Sequence, residues 1–243
     1  MAADEEDIFA RAIRKLGRLT QLDEADRQAI RALEFRIQSV PANDYLVTEG
    51  VRSEQCCLLL DGYACRHKET SGGGRQILAF QLAGDLLDLQ RIFLPHVDHN
   101  VETITPATVV RIPAASFRAL MLERPRVAEA LWRDTLIDAA IAREWVLNVG
   151  RRTATARIAH MLCELAARRA AAGFGSPERF ELPMTQEQIG DATGLTGVHV
   201  NRKLHDLDDA GVIARTRREL HILDWPRLKR MGEFDPSYLY AAA

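Results

Sequence analysis

The sequence predicts an α+β protein in three parts. Residues 1–113 form a short helical region and a β-roll, with the barrel or jelly roll itself over about 36–113. Residues 114–149 form a long helix, and residues 150–243 form a small winged helix-turn-helix domain. Three observations predict this. Short apolar or alternating runs, broken by glycine and proline, fill the first half. An apolar repeat with steps of four and three runs through the middle. A capping box, two spaced glycines and a basic hairpin follow one another near the end.

Composition sets the frame. The chain has 243 residues, 47% hydrophobic and 27% charged, as a globular protein of one large or two modest domains has. No apolar run approaches the roughly 20 residues of a membrane span, so no membrane partner is expected. The start, MAADEEDIFARAIRK, is acidic and lacks the apolar core of an export signal. The four cysteines, Cys56, Cys57, Cys65 and Cys163, form no CxxC pair, and the adjacent Cys56 and Cys57 would point to opposite faces of a strand. This reads as a reduced, cytoplasmic protein without a disulfide framework. The net charge of −2 is uneven: residues 1–149 carry 18 Lys/Arg against 22 Asp/Glu, and residues 150–243 carry 14 against 12.

Residues 5–35 look helical, and Thr20 or Asp23 can cap a helix carrying Leu22, Ala25, Ala29, Ile30 and Leu33. PANDYLVTEG, QCCLLLDGYACRHKET, GRQILAFQLAGDLLDL and VETITPATVVRIP then read as strands, and Gly72–Gly74 as a hairpin tip. In the long helix, positions 128, 132, 135, 139, 142, 146 and 149 are Ala, Trp, Thr, Ala, Ala, Val and Val. That is a coiled-coil seam, and Trp132, Thr135, Ala139, Ala142, Val146 and Val149 are the expected interface of a homodimer. Leu131, Leu136, Ile141 and Trp145 lie off the seam and are expected to pack on the barrel. A helix apolar on two faces needs two partners; the alternative is one wide amphipathic face buried inside a monomer. A further helix over RRTATARIAHMLCELAARRAAAGF ends near Gly173.

The segment TQEQIGDATGLTGVHVNRKL fits a helix-turn-helix. Thr185 and Gln188 have capping-box spacing. With Gln186 as first helical position, Gly190 falls fifth, where a small residue lets the second helix cross closely. Gly194 falls ninth, where the turn needs a left-handed residue, and Val200 falls fifteenth and seals the pair. Thr196 can cap the second helix, which puts Val198, His199, Asn201, Arg202, Lys203 and His205 on or near its exposed side. In VIARTRRELHIL, Arg215, Arg217 and Arg218 sit between two alternating runs, as in a hairpin wing. Polar and basic groups so presented point to double-stranded DNA, with Thr185, Gln186, Thr196, Val198, His199, Asn201, Arg202, Lys203, Arg215, Arg217 and Arg218 as the contact set. The alternative for the same module is protein contact. Steep salt dependence of binding would separate the two. No P-loop, HExxH or nucleophile–base pairing is recognisable, so an enzyme is not expected.

Through these residues the chain resembles the CRP/FNR family of bacterial transcription regulators, from about residue 20 to 230. The stretches carrying the resemblance are PANDYLVTEG, LLLDGY, FQLAGDLL, GRRTATARIAHMLCEL and MTQEQIGDATGLTGVHVNRKLHDLDDAGVI. FQLAGDLL and the spacing from Gly84 to Pro113 are similar to the FNR and FixK side rather than to cyclic-AMP receptors. The resemblance implies a cyclic-nucleotide-binding-like β-roll, a dimerisation helix, a palindromic DNA site, contact with RNA polymerase, and an effector on the roll that resets the helix-turn-helix. In the family's common readout a Glu accepts from cytosine and an Arg four residues later donates to guanine. Those positions hold Val198 and Arg202.

The resemblance also implies which cofactors do not fit. Where cyclic-AMP binders hold ribose with Glu, this chain has Leu89. Their Arg-Ser pair falls around Asp98–Asn100, and no arginine lies between Arg91 and Arg111. Iron–sulfur members carry N-terminal cysteines, and no cysteine precedes Cys56 here. The haem members' Cys and His positions hold Asp88 and Gln90. No cofactor is therefore expected. Cys65 and His67, two apart on a strand, with His96 and His99 in a nearby loop, are left as candidates for a metal or redox effector site.

Overall fold

The structure is a computed structural model that describes residues 7–94, 96–216 and 219–240. Two compact units emerge. One is the chain up to Arg66 together with Gln81–Asp138, and the other is His67–Phe80 together with the chain from Ala139 on.

In the first unit, helices α1 (Ala10–Leu19) and α2 (Glu24–Arg31) precede the strands. Asp23, not Thr20, is the cap: its carboxylate accepts from Asp26 N, and Asp26 answers at Asp23 N. The helical reading of 5–35 is thus corrected to two short helices, broken by the extended backbone at Thr20. The strands are β1 (Arg36–Val40), β2 (Tyr45–Val47), β3 (Gln55–Asp61), β4 (Ala64–Glu69), β5 (Arg75–Gln81), β6 (Asn100–Thr103) and β7 (Ala107–Pro113). They form two sheets, ordered β1-β7-β3 and β2-β6-β4-β5, and pairing is antiparallel in β1–β7, β3–β7 and β2–β6. The centre of β3, CCLLL, is apolar because the strand is buried on both faces there. Cys56 and Leu58 join a core with α1 and with Val110 and Ile112 of β7, whereas Cys57 and Leu59 face a second core with Val101, Leu87 and Val109. The two adjacent cysteines do occupy opposite faces.

The helix expected over 114–149 is two helices, α3 (Ala114–Glu123) and α4 (Pro125–Arg151). Pro125 is the reason. A residue before proline is pushed out of the helical region, and Arg124 has φ −128°, ψ 83°. Proline itself is well placed at the first position of α4. Helix α4 also runs two residues past the expected end. On it, Leu131 joins the core of the first unit, as expected, whereas Ile141 and Trp145 are buried in the second unit. Leu136 is not buried: it is 50% exposed, four residues on from Trp132, and widens the seam instead of packing inward.

In the second unit, α5 (Ala154–Ala172) is capped by Thr153, ends on Gly173, and forms the centre. Its Glu164 carboxylate receives Trp145 Nε1 from α4 at 3.0 Å and the Tyr238 hydroxyl from the C-terminal segment at 2.7 Å. After it come β8 (Arg179–Glu181), α6 (Gln186–Thr193), α7 (Gly197–Asp209), β9 (Ile213–Thr216), β10 (Glu219–Ile222) and α8 (Trp225–Met231). Strands order as β8-β10-β9, so the wing is a three-stranded sheet, with β8 a partner that sequence periodicity missed in so short a segment. The β4–β5 hairpin from His67 to Phe80, with the second half of β4 and β5 up to Phe80, belongs here. Arg75 Nε meets Asp191 Oδ2 on α6 at 2.8 Å, and Arg168 donates to the Phe80 carbonyl at 2.9 Å.

Candidate nucleic-acid interface

Local chemistry fixes the helix pair. Thr185 Oγ1 accepts from Gln188 N at 3.1 Å, and Gln188 Oε1 accepts from Thr185 N at 2.9 Å, so α6 begins on the expected box. It ends at Gly194, whose φ of 66° lies in the left-handed region that costs other residues strain. Gly190 has no room for a side chain: a Cβ there would stand closer than 3.0 Å to the Leu195 carbonyl oxygen. Thr196 Oγ1 then accepts from His199 N, starting α7.

Val200, Leu204 and Leu207 of α7 are fully buried and bind it to the module. The other face is open. Val198 is 83% exposed, Arg202 is exposed, and His199, Asn201 and Lys203 are half-buried. Thr185 and Gln186 at the head of α6 are exposed, and Gln186 Nε2 donates to Asn201 Oδ1 at 2.9 Å. The residues of α7 expected to face DNA lie in its first half. Its second half carries Asp206, Asp208 and Asp209, and Lys203 Nζ sits 2.7 Å from Asp206 Oδ2. Arg215 lies half-buried on β9, while Arg217 and Arg218 lie outside the described residues. Sequence reasoning did not find Arg157. It donates to the Thr193 carbonyl at 3.0 Å, and so holds the C-terminus of α6 from α5. No local pattern announces a bond between residues 36 apart.

Of the residues expected to form a dimer seam, Trp132, Thr135, Ala139, Ala142 and Val146 are exposed, Trp132 by 61% and Val146 by 71%, and Val149 is half-buried. Beside Trp132 and Thr135 the first unit holds a cavity of about 470 Å³. Its apolar wall includes Leu86, Leu89, Phe93, Met121 and Leu131, and its polar groups are Arg66, Gln90, Asp98, His99, Asp134 and Asp138. Arg66 is already engaged, at 3.3 Å with Asp138 and 3.1 Å with the Leu87 carbonyl. Lys15 bridges Asp85 and Asp134 at 2.9 and 2.8 Å. Burial works against its charge, but the two carboxylates prevail and hold its pKa above the usual lysine range.

The effector candidates are scattered in character. Cys65 and His67 are buried, His96 is exposed, and His99 is buried with its pKa lowered by burial and by Arg66. Among the described residues no three His, Cys, Asp or Glu side chains gather as metal ligands. Cys65 is 1% exposed.

A capped helix pair with an open polar helix face, on a chain that also carries a β-roll and a long apolar-faced helix, defines a DNA-binding transcription regulator. A Crp-like helix-turn-helix domain model matches residues 156–231 and a cyclic nucleotide-binding domain model matches residues 37–124. The transcriptional activator protein FnrL of Cereibacter sphaeroides is 30% identical over 195 residues, 79% of this chain and 78% of that protein. The chain belongs to the CRP/FNR family of transcription regulators, on its FNR/FixK side. The nitrogen fixation regulation protein FixK of Bradyrhizobium diazoefficiens is 26% identical over 91% of this chain and 92% of its own length. The solved structure of FixK2 from Bradyrhizobium japonicum superposes with a TM-score of 0.75 at 28% identity, covering 82% of this chain and 98% of that one.

Proposed function

We propose that this regulator acts as a cytoplasmic homodimer paired along α4, reads a palindromic promoter site with two copies of α7, and contacts RNA polymerase as an activator. The observation that carries the dimer is the open apolar face of α4. Trp132, Leu136 and Val146 leave large apolar surfaces in water on one helix, at the spacing by which a second helix covers them. The small residues Thr135, Ala139 and Ala142 between them let two backbones approach. Two half-sites about one helical turn apart then match two protomers. The relative FnrL, named as a transcriptional activator, supports the activating role. The chain works by binding and not by catalysis.

The cavity beside α4 is the sensory site, since an occupant there touches Trp132 and Thr135 directly. Its residues do not fit a cyclic nucleotide. A phosphate anion would face Asp98, Asp134 and Asp138, and the one lining guanidinium, Arg66, is held by Asp138 and the Leu87 carbonyl. Leu89 offers no partner for a ribose hydroxyl.

The test is sedimentation of wild type and of the double variant Ala139→Glu, Ala142→Glu, with duplexes selected from a random DNA pool. The variant puts like charges on both helices across the seam, and it should sediment as a monomer and lose affinity for the selected palindrome. A variant that remains dimeric would remove α4 as the interface. Calorimetry with cyclic AMP should give no heat, and micromolar binding would overturn the assignment of the cavity.

A further inference from the structure

We propose that Gln186 and Asn201 work as one composite reader, in which Gln186 decides which edge of the Asn201 amide faces the DNA. The inference rests on the DNA-binding reading of α7 and adds to it which bases are chosen. An asparagine alone carries a donor and an acceptor side by side, the pair that matches adenine N6 and N7. Here the Asn201 amide has a partner on the other helix. Gln186 Nε2 donates to Asn201 Oδ1 at 2.9 Å across fifteen residues of sequence. The head of α6 and the head of α7 are brought together for this. The atoms nearest a Cβ placed on Gly197 are the backbone and Cβ of Gln186 and the backbone of Glu187, at 3.7–3.8 Å. Among the described residues, Asn201 Nδ2 has no protein partner. Val198 and Arg202, its neighbours on the helix, are exposed.

With Oδ1 turned to Gln186, Asn201 offers two N–H groups to the groove. Those groups suit an acceptor edge, guanine O6 and N7 or thymine O4, and they oppose the N6 amino group of adenine. The side chain that sets this is on a different helix from the one that enters the groove. Gln186 is therefore a positioning residue for specificity, whatever phosphate contact it also makes.

Duplex selection from a random pool, run on full-length wild type, Gln186→Leu, Gln186→Glu and Asn201→Ala, tests this. The guanine assigned to Arg202 serves as the internal reference. Wild type should select guanine or thymine at the base facing Asn201. Gln186→Leu keeps a similar volume but has no donor, and should move that position toward adenine by about tenfold, the discrimination one bidentate pair supplies. Gln186→Glu can only accept, so it should turn the Asn201 amide round and favour a donor edge, adenine or cytosine. Asn201→Ala should flatten the preference there alone. Thermal unfolding midpoints near wild type would show that the variants fold. If all three Gln186 forms give the same base while the Arg202 guanine persists, the composite reader is wrong and the DNA-binding reading stands. If wild type selects no palindrome, both fall.

Discussion

Gly190 and Leu195 approach so closely across the turn between α6 and α7 that no side chain fits between them, and Leu195 N donates to the Gly190 carbonyl at 3.0 Å. The obstacle is backbone, which cannot swing aside. Gly190→Ala should therefore destabilise the helix pair by about 3 kcal/mol, as overpacking of a tight contact does. Gly194→Ala meets only the end of the Arg157 side chain, and should cost roughly 1–2 kcal/mol for its left-handed backbone. Denaturant unfolding of the two variants should rank them in that order, with DNA affinity falling more for Gly190→Ala. The opposite order would show that backbone conformation, not space, selects these glycines.

The hairpin tip is tied to α6 by Arg75 and Asp191, each about a quarter exposed, and by Gln76 donating to the Ala192 carbonyl at 3.3 Å. Amide exchange over residues 67–80 should speed up in Arg75→Ala and in Asp191→Ala. The two substitutions should couple by about 1 kcal/mol in a double-mutant cycle. Additive effects would show the ion pair to be incidental.

His160 sits in the core of the second unit, its Nδ1 3.1 Å from the Gly232 carbonyl oxygen and its Nε2 3.1 Å from the Tyr238 hydroxyl. Burial, aided by Arg152 and opposed by Glu144 and by its bond to Gly232, lowers its pKa to about 4. Unfolded, it titrates near 6.5. Between those values the unfolded chain binds a proton that the folded chain refuses. The stability His160 contributes is thus full above about pH 6.5 and is lost as pH falls toward 4. Burial raises Glu164, whose change runs the other way, so the measurement is a difference between proteins. The stability of wild type minus that of His160→Gln should shrink by about 3 kcal/mol from pH 6.5 to 4. A pH-independent difference would mean that His160 titrates normally.

Val198 is the most exposed apolar side chain on the reading face, where much of the family has a cytosine-accepting Glu. It can touch a thymine methyl but cannot accept a hydrogen bond. Val198→Glu should move selection toward cytosine at its base pair, and Arg202→Ala should cost roughly 1–3 kcal/mol on the selected site and relax its guanine. Wild-type selection of cytosine opposite Val198 would overturn the assignment of that position.

What the sequence determined by itself was whatever a few adjacent residues control. Thr185 with Gln188, Thr196, and the left-handed glycine at Gly194 fix α6 and α7 through bonds that span three or four residues, so type and spacing suffice to place them. The apolar spacing along α4 and the apolar run of β3 were legible for the same reason, because such patterns are local. Pro125 was a local signal too, and its break of the long helix went unread against a continuous apolar pattern.

Tertiary structure decided which competing surfaces meet. Leu131 and Leu136 are alike in chemistry, and only the packed core settles that one is buried and the other exposed. Arg75 finds Asp191 across 116 residues, and Tyr238 finds Glu164 across 74. No spacing rule encodes such partners, since each bond depends on the whole intervening chain having folded first. Asn201 illustrates the division most directly. Its place on the reading face follows from the sequence, and the direction of its amide follows from a neighbour that only the fold supplies.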